Sequence, residues 1–415
     1  MLTLWRSIMN LRYILILLFV LVSTHVYADD AEDCAKSSGD AQLNACTRVI
    51  ESRRYQSANL AWAYNNRGLV KESKGNLNGA MIDYNHAIEL NPKDALAYFN
   101  RGNAKIRKGE LEEAMTDYNR AIELNPQYTQ AYYNRGNAKR DKGDLDGAIA
   151  DYNHAIELEP QSAKAYYNRG NVARMKGALD GAIADYNRAI ELNPQDADAY
   201  YNRGLATKDK GDLDGAIADY NRAIELNPLF TEAYYNRGLS KKDKGDLDGA
   251  IADYKRAIEL NPKYGRAYSS RGRIHYYRGE FALASSDLAR SQVLNPDTHT
   301  ALWLYLARSR SGNEGKKELI TNTIPFDTSK WPAPVVALYL GKDTPSTVLN
   351  AAEHPDYQTR RNQRCEAHFY VGSWQLLQGD RASGLASLRA ARDDCPKTYI
   401  EYTGAVYELT KLEAH

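Results

Sequence analysis

The sequence predicts an all-α solenoid, a stack of helical hairpins without one large core. Three observations predict it. The string AYYNRG stands at 131–136, 165–170, 199–204 and 233–238, and AYNNRG, AYFNRG and AYSSRG stand at 63–68, 97–102 and 267–272, so each copy lies 34 residues after the last. Within each period a KG or RG turn separates two segments whose small and apolar residues recur at three- and four-residue spacing, which places them on one helix face. Tyrosine, at 31 residues against 6 Phe and 5 Trp, has the excess that arises when one structural position is copied many times. Hairpin stacks of this kind grow by repetition, so the period is read before any residue-level chemistry.

The chain opens on a targeting pattern. Arg6 and Arg12 accompany an unbroken apolar run from Tyr13 to Val22, and Val26-x-Ala28 has the small-residue ending that a signal peptidase needs. The run is shorter than the ~20 apolar residues that cross a bilayer. Residues 1–28 are therefore expected to be a cleaved signal peptide that leaves an exported, periplasmic chain without stable membrane insertion. No cysteine follows the run closely enough for lipoprotein processing. With 54 Lys+Arg against 53 Asp+Glu, the formal charge of +1 argues against a nucleic-acid partner, which needs many basic groups facing phosphates.

Residues 29–60 read as a divergent N-terminal helical hairpin turning at Gly39-Asp40. Residues 61–298 hold seven units of 34 residues. In the unit that starts at Thr129, the first helix runs to about Lys142. Gly143 stands where a left-handed residue closes a helix, and Asp144 can cap the next one. Leu145, Ala148, Ile149, Tyr152, Ala155 and Ile156 share a face of the second helix, and Pro160 ends the unit. Residues 299–364 are a partial unit, with Ala301 to Leu306 continuing the period as an eighth first helix. An irregular stretch follows, rich in proline (Pro325, Pro332, Pro334, Pro345, Pro355). Residues 365–398 form a divergent last unit, with Gly372, a Gly379-Asp380 turn, Ala391 and Pro396, and residues 399–415 a capping helix.

The four cysteines form one pair near each end. Cys34 and Cys46 flank the Gly39-Asp40 turn almost symmetrically, and Cys365 and Cys395 fall level at opposite ends of the last hairpin. Facing helices bring Cα atoms within the ~4.4–6.8 Å that a disulfide requires, and an exported chain sits where such bonds persist. Zinc is the weaker reading, since the thiols lack C-x-x-C spacing and neighbouring His.

The repeat resembles the tetratricopeptide repeat (TPR). That family's eighth-position Gly is matched in every unit from Gly68 to Gly272, its twentieth-position Ala from Ala80 to Ala284, and its Pro from Pro92 to Pro296. The resemblance implies a right-handed α-solenoid superhelix that works as a binding scaffold. Two departures stand out. Position 7, usually Leu, is Arg67, Arg101, Arg135, Arg169, Arg203, Arg237 and Arg271; position 23 is Asp83, Asp117, Asp151, Asp185, Asp219, Asp253 and Asp287. In an antiparallel pair turning near position 15, these two lie at one height, so each Arg is expected to pair with an Asp of its own or a neighbouring unit. As exposed pairs they would contribute ~0–1 kcal/mol each.

In TPR arrays the first helices line the concave face. Position 6 there is Asn66, Asn100, Asn134, Asn168, Asn202 and Asn236, with Ser270 breaking the series. One carboxamide can satisfy both the C=O and the N–H of a peptide bond. Some members of the family hold extended peptides with Asn at this position, and the resemblance implies the same use. Position 5 adds Phe99, Tyr133, Tyr167, Tyr201 and Tyr235, apolar bodies mostly with a polar tip. These residues form the expected peptide-binding groove. Tyr faces and carboxamides also suit sugars, so glycan binding, as in polysaccharide export, remains the alternative.

No catalytic constellation is present, and an enzyme, a metal site or a cofactor is not expected. HExxH, GxSxG, GxGxxG and P-loop patterns are missing. The KGDLDG run at 142–147 would need acids at both ends of a calcium loop, where Lys142 and Asn153 stand. His86 and His154 read as surface residues, and His275, His299, His354 and His368 are scattered singly. From about 299 to 412, the order LWLYL, Trp331, an LG end, an EA-x-FY-x-G helix and an EY-x-x-A helix resembles the NlpI-type envelope TPR adaptors. That likeness implies a non-catalytic periplasmic scaffold binding extended segments of partner proteins such as envelope proteases or peptidoglycan hydrolases, with a homodimer among the expectations. Thiol titration of the unfolded, unreduced protein should find no free cysteine; four reactive thiols would refute the paired assignment.

Overall fold

The computed structural model describes residues 30–52, 58–327, 329–397 and 399–413, so the expected leader lies outside the described residues. Among the described residues there is no β-strand, and no helix is long and apolar enough to cross a membrane. The chain divides into two compact units, 1–194 and 195–415.

In the first unit, residues 30–36 are helical and are bridged to the helix Gly39–Glu51 by Cys34–Cys46, with Cα atoms 4.6 Å apart. Four hairpins follow: Ala58–Ser73 with Leu77–Leu90, Ala95–Lys108 with Leu111–Leu124, Thr129–Lys142 with Leu145–Leu158, and Ala163–Met175 with Leu179–Leu192. The third shows how local chemistry builds each one. Gly143 takes φ +88°, a left-handed conformation open to glycine. Its N–H donates to Arg140 and the Asp144 N–H to Lys139, closing the first helix. The Asp144 carboxylate then accepts from the Gly147 N–H at 3.0 Å and opens the second helix.

Two contacts fix how the helices of a hairpin meet. Tyr152 is fully buried and packs against Gly136; a Cβ there would stand 2.9 Å from the ring. The same Gly–Tyr contact recurs from Gly68–Tyr84 to Gly238–Tyr254. Position 24 thus accounts for part of the tyrosine excess. The second contact is the charge pair. Arg135 donates through Nε and Nη2 to both oxygens of Asp151, at 2.9 and 2.6 Å. All seven Arg residues pair in this way with the Asp of their own hairpin.

These are not the surface pairs that the sequence suggests. The seven aspartates are at most 7% exposed, and in four hairpins a lysine one turn on (Lys71, Lys105, Lys139, Lys241) adds a second cation. The remaining guanidinium nitrogen reaches back to the preceding hairpin: Arg101 to Asn85, Arg135 to Asn119, Arg169 to Asn153 and, in the second unit, Arg237 to Asn221, all at 2.6–2.7 Å. One side chain therefore closes its own hairpin and holds the previous one.

The second unit begins with three regular hairpins: Ala197–Asp209 with Leu213–Leu226, Thr231–Asp243 with Leu247–Leu260, and Gly265–Arg278 with Phe281–Leu294. The eighth first helix follows as Thr298–Arg310, with the short Lys316–Thr323 as its partner, then Ala333–Tyr339 and Pro345–Ala351 through the proline-rich stretch. The last hairpin is Tyr357–Leu377 with Arg381–Asp394, closed by the Cys365–Cys395 bridge and followed by Ile400–Glu413. Its first helix starts two turns before Cys365, because the Asp356 carboxylate accepts from the Thr359 N–H and caps it there. Aromatic rings replace alanine as the core here: Trp303 is fully buried against Phe369, Tyr276 and Tyr277.

Asp151→Asn keeps the shape but leaves Arg135 and Lys139 without their counter-ion. A loss of about 2–4 kcal/mol is expected, read as a lower urea midpoint, whereas Asp146→Asn at an exposed position should change stability by less than about 0.5 kcal/mol.

Candidate functional site

The six expected groove carboxamides lie on the first helices of their hairpins, none of them fully exposed. Asn100 and Asn168 are buried, at 4 and 8% exposure, and Asn66, Asn134, Asn202 and Asn236 are half-buried. In the first unit each amide nitrogen is anchored to the preceding hairpin. Asn66 donates to the Cys34 carbonyl (3.2 Å), Asn100 to Asn65 (2.9 Å), Asn134 to Asn103 (2.8 Å) and Asn168 to Asn137 and the Tyr133 hydroxyl (3.2 and 2.6 Å). Asn103 and Asn137, at position 9, also accept from the buried Tyr118 and Tyr152 hydroxyls at 2.8 Å. A polar relay thus runs from the core tyrosine to the position-9 amide and on to the groove amide of the next hairpin. Each groove nitrogen has two hydrogens, and in Asn66, Asn100 and Asn134 the bond to the preceding hairpin uses one of them.

Where leucine occupies position 9, at Leu69 and Leu205, the next groove amide finds its partner at position 5 instead. Asn236 donates to the Tyr201 hydroxyl (2.9 Å) and to the Glu232 carbonyl, and Asn202 to the Asp198 carbonyl of its own helix. The expected position-5 rings are half-buried in both units. Each packs on the core tyrosine of its own hairpin: Phe99 on Tyr118, Tyr133 on Tyr152, Tyr167 on Tyr186, Tyr201 on Tyr220 and Tyr235 on Tyr254, with centroids 5.7–6.0 Å apart. The face is therefore a row of fixed carboxamides beside fixed ring edges. It can offer hydrogen bonds and apolar contact.

One cluster in the second unit was not legible as a group. His299 lies 3.0 Å from Glu366 through Nε2 and 3.7 Å from Asp297 through Nδ1. The Trp331 indole N–H donates to the same Glu366 oxygen at 2.6 Å, and the Tyr370 hydroxyl to the buried Glu401 at 3.2 Å. Burial alone would lower the His299 pKa, but Asp297 and Glu366 more than reverse that and raise it to about 10. Burial pushes the Glu401 carboxyl up to about 7, and the Glu366 charge adds to the shift. His299 and Glu366 are 67 residues apart, so no local spacing signals them. Among the described residues no group of His, Cys, Asp and Glu is placed to hold a metal ion.

The family model "TPR repeat" matches residues 72–109, 102–139, 136–177, 170–210 and 206–243, and "Tetratricopeptide repeat" matches 231–264. Among solved structures, MamA is 33% identical over 40% of this chain and 96% of its own, with a TM-score of 0.38. YrrB, described as a TPR protein with an unusual peptide-binding site, is 29% identical over 44% of this chain and 95% of its own, with a TM-score of 0.40. A tetratricopeptide repeat protein from Parabacteroides merdae is 21% identical over 60% and 98%, with a TM-score of 0.46.

Both shifted groups bind protons more tightly in the folded chain, so each should lower stability as pH rises. Glu401 acts between its ordinary 4.5 and about 7, and His299 between 6.5 and about 10. Melting of the protein across this range should show the decline, and Glu401→Gln should flatten its acidic part; an unchanged slope would exclude Glu401 as a source.

Proposed function

The chain belongs to the tetratricopeptide-repeat family, and from that premise we propose that it is a non-catalytic adaptor of the bacterial cell envelope whose first-helix face grips extended segments of partner proteins. The observation that carries this reading is the row of anchored carboxamides. Packed helices lie ~8–10 Å apart and an extended chain advances ~3.3–3.6 Å per residue, so successive amides meet a strand at about every third residue. Anchoring fixes the direction in which these carboxamides meet the backbone of the guest. The half-buried rings at position 5 supply apolar contact that tolerates many side chains.

The envelope assignment is supported by two disulfides, Cys34–Cys46 and Cys365–Cys395, which persist in oxidising compartments, together with the leader pattern in residues 1–28. Partners of the protease and hydrolase kind rest on the likeness of residues 299–412 to envelope adaptors.

A photo-crosslinking residue placed at Tyr133 or Tyr167 tests the grip in living cells, with the same residue at the exposed Ile82 (57% exposed) as control. The groove sites should capture a shared set of partner peptides that Ile82 does not, and Asn134→Ala with Asn168→Ala should reduce capture at least several-fold. Identical products from groove and control sites, or glycan in place of peptide, would refute the peptide grip.

A further inference from the structure

The proline-rich stretch of the second unit folds around an open pocket of about 540 Å³, lined by side chains of the helices Lys316–Thr323 and Ala333–Tyr339 and of residues between and beside them. Ile320, Ile324, Phe326, Trp331, Val336 and Leu340 make its walls apolar. Two of these stand far out in water for isoleucine, Ile320 at 46% exposure and Ile324 at 73%. Apolar side chains scattered singly over a surface need no explanation, but several gathered on one concavity mark a binding site.

The polar groups on the lining are few and mostly engaged. The Trp331 indole N–H donates to Glu366 at 2.6 Å, and the Thr323 hydroxyl donates to the Leu319 carbonyl at 2.8 Å, so neither donates to a guest. Thr298 supplies the remaining hydroxyl. Asp327 accepts from the Ser329 hydroxyl and N–H at 2.7 and 2.9 Å and faces Lys330 at 3.3 Å. Lys342 also borders the pocket and is exposed; among the described residues its ammonium has no ion pair or side-chain hydrogen bond. The surrounding segment, 316–342, is basic on balance, with Lys316, Lys317, Lys330 and Lys342 against Glu318 and Asp327.

We propose that this pocket binds the hydrocarbon tail of a single-chain amphiphile with an anionic head, the tail lying against Ile320, Ile324, Val336 and Leu340 and the head meeting Lys342. Walls with so few free donors and acceptors strand the backbone N–H and C=O groups of a peptide, whereas hydrocarbon needs no partner there and gains by leaving water. The volume falls in the range of small-molecule sites, about 300–1,000 Å³. The long lysine stem lets the ammonium follow the head while it stays in water, and the same positive charge disfavours a cationic head. The pocket belongs to the irregular region and not to the carboxamide row, so it stands whether or not that row grips a peptide.

The test is calorimetric titration of the purified protein at constant ionic strength with octanoate, decanoate and dodecanoate, each below the concentration at which it self-associates. Propionate, dodecyltrimethylammonium and a leucine-rich amphipathic peptide are the comparisons. Dodecanoate should bind saturably and propionate should not, and affinity should rise about fourfold for each methylene that enters the pocket. In nuclear magnetic resonance spectra dodecanoate should move the methyl signals of Ile320 and Ile324 and leave that of Ile82 in place. Ile324→Asp and Lys342→Glu each change an exposed side chain. The first should weaken dodecanoate about tenfold. The second should weaken it at least about threefold and favour dodecyltrimethylammonium. Should one variant not fold, the other carries the comparison. No saturable binding, an affinity independent of chain length, tighter binding of the cationic amphiphile or of the peptide, or full affinity in either folded variant would overturn the proposal. None of these results bears on capture by the carboxamide row, so the two ideas fall separately.

Discussion

Each of seven hairpins places an aspartate carboxylate between its two helices, nearly out of water, and everything else in the repeat accommodates that charge. A buried carboxylate is costly unless it is matched and hydrogen-bonded. The position-7 arginine matches it with two bonds in one plane, and this geometry is intolerant of sliding. Moving one helix by a single residue shifts it about 1.5 Å along its axis and about 100° around it, which breaks both bonds. The charge pair therefore selects the helix register, while the Tyr ring on the position-8 Gly sets how close the helices come. Because the same guanidinium also holds an asparagine of the previous hairpin, register inside a hairpin and stacking between hairpins are coupled through one side chain.

The demand that polar groups be satisfied also shapes the face assigned to binding. For Asn134 and Asn168 the core tyrosine hydroxyl and the groove amide of the next hairpin share one position-9 carbonyl oxygen, so the direction of these two carboxamides is set from inside the protein. A guest would meet side chains already ordered, with less rotamer freedom left to lose on binding. Where leucine takes position 9 that shared oxygen is missing, and a position-5 side chain of the preceding hairpin takes over, as the Tyr201 hydroxyl does for Asn236. Copies of the same residue type thus stand on different supports.

Much of this was legible in the sequence because the repeat is local. The period, the Gly143 turn, the Asp144 cap and the level heights of positions 7 and 23 follow from spacing within one hairpin, and so do both cysteine pairings. Burial was not legible: an Arg and an Asp at matching heights read equally well as an exposed pair, and only the packing of neighbouring hairpins shows that water is excluded. The relay was missed because it joins position 9 of one unit to position 6 of the next. The His299, Glu366 and Glu401 cluster joins three separate helices of the irregular region, where no period exists to align them. The early start at Tyr357 depended on one capping side chain, Asp356, in a stretch whose prolines suggested a break.

Near-identity of the copies has its own consequence. In the first unit Asn134 and Asn168 present the same group, each held by the position-9 amide of the preceding hairpin, so a strand bound along such copies would gain little by choosing one alignment over another displaced by a whole hairpin. Such a track has rungs but no numbering. If a guest binds there, it would have several near-equivalent placements, which would add a statistical advantage to capture and let it advance stepwise.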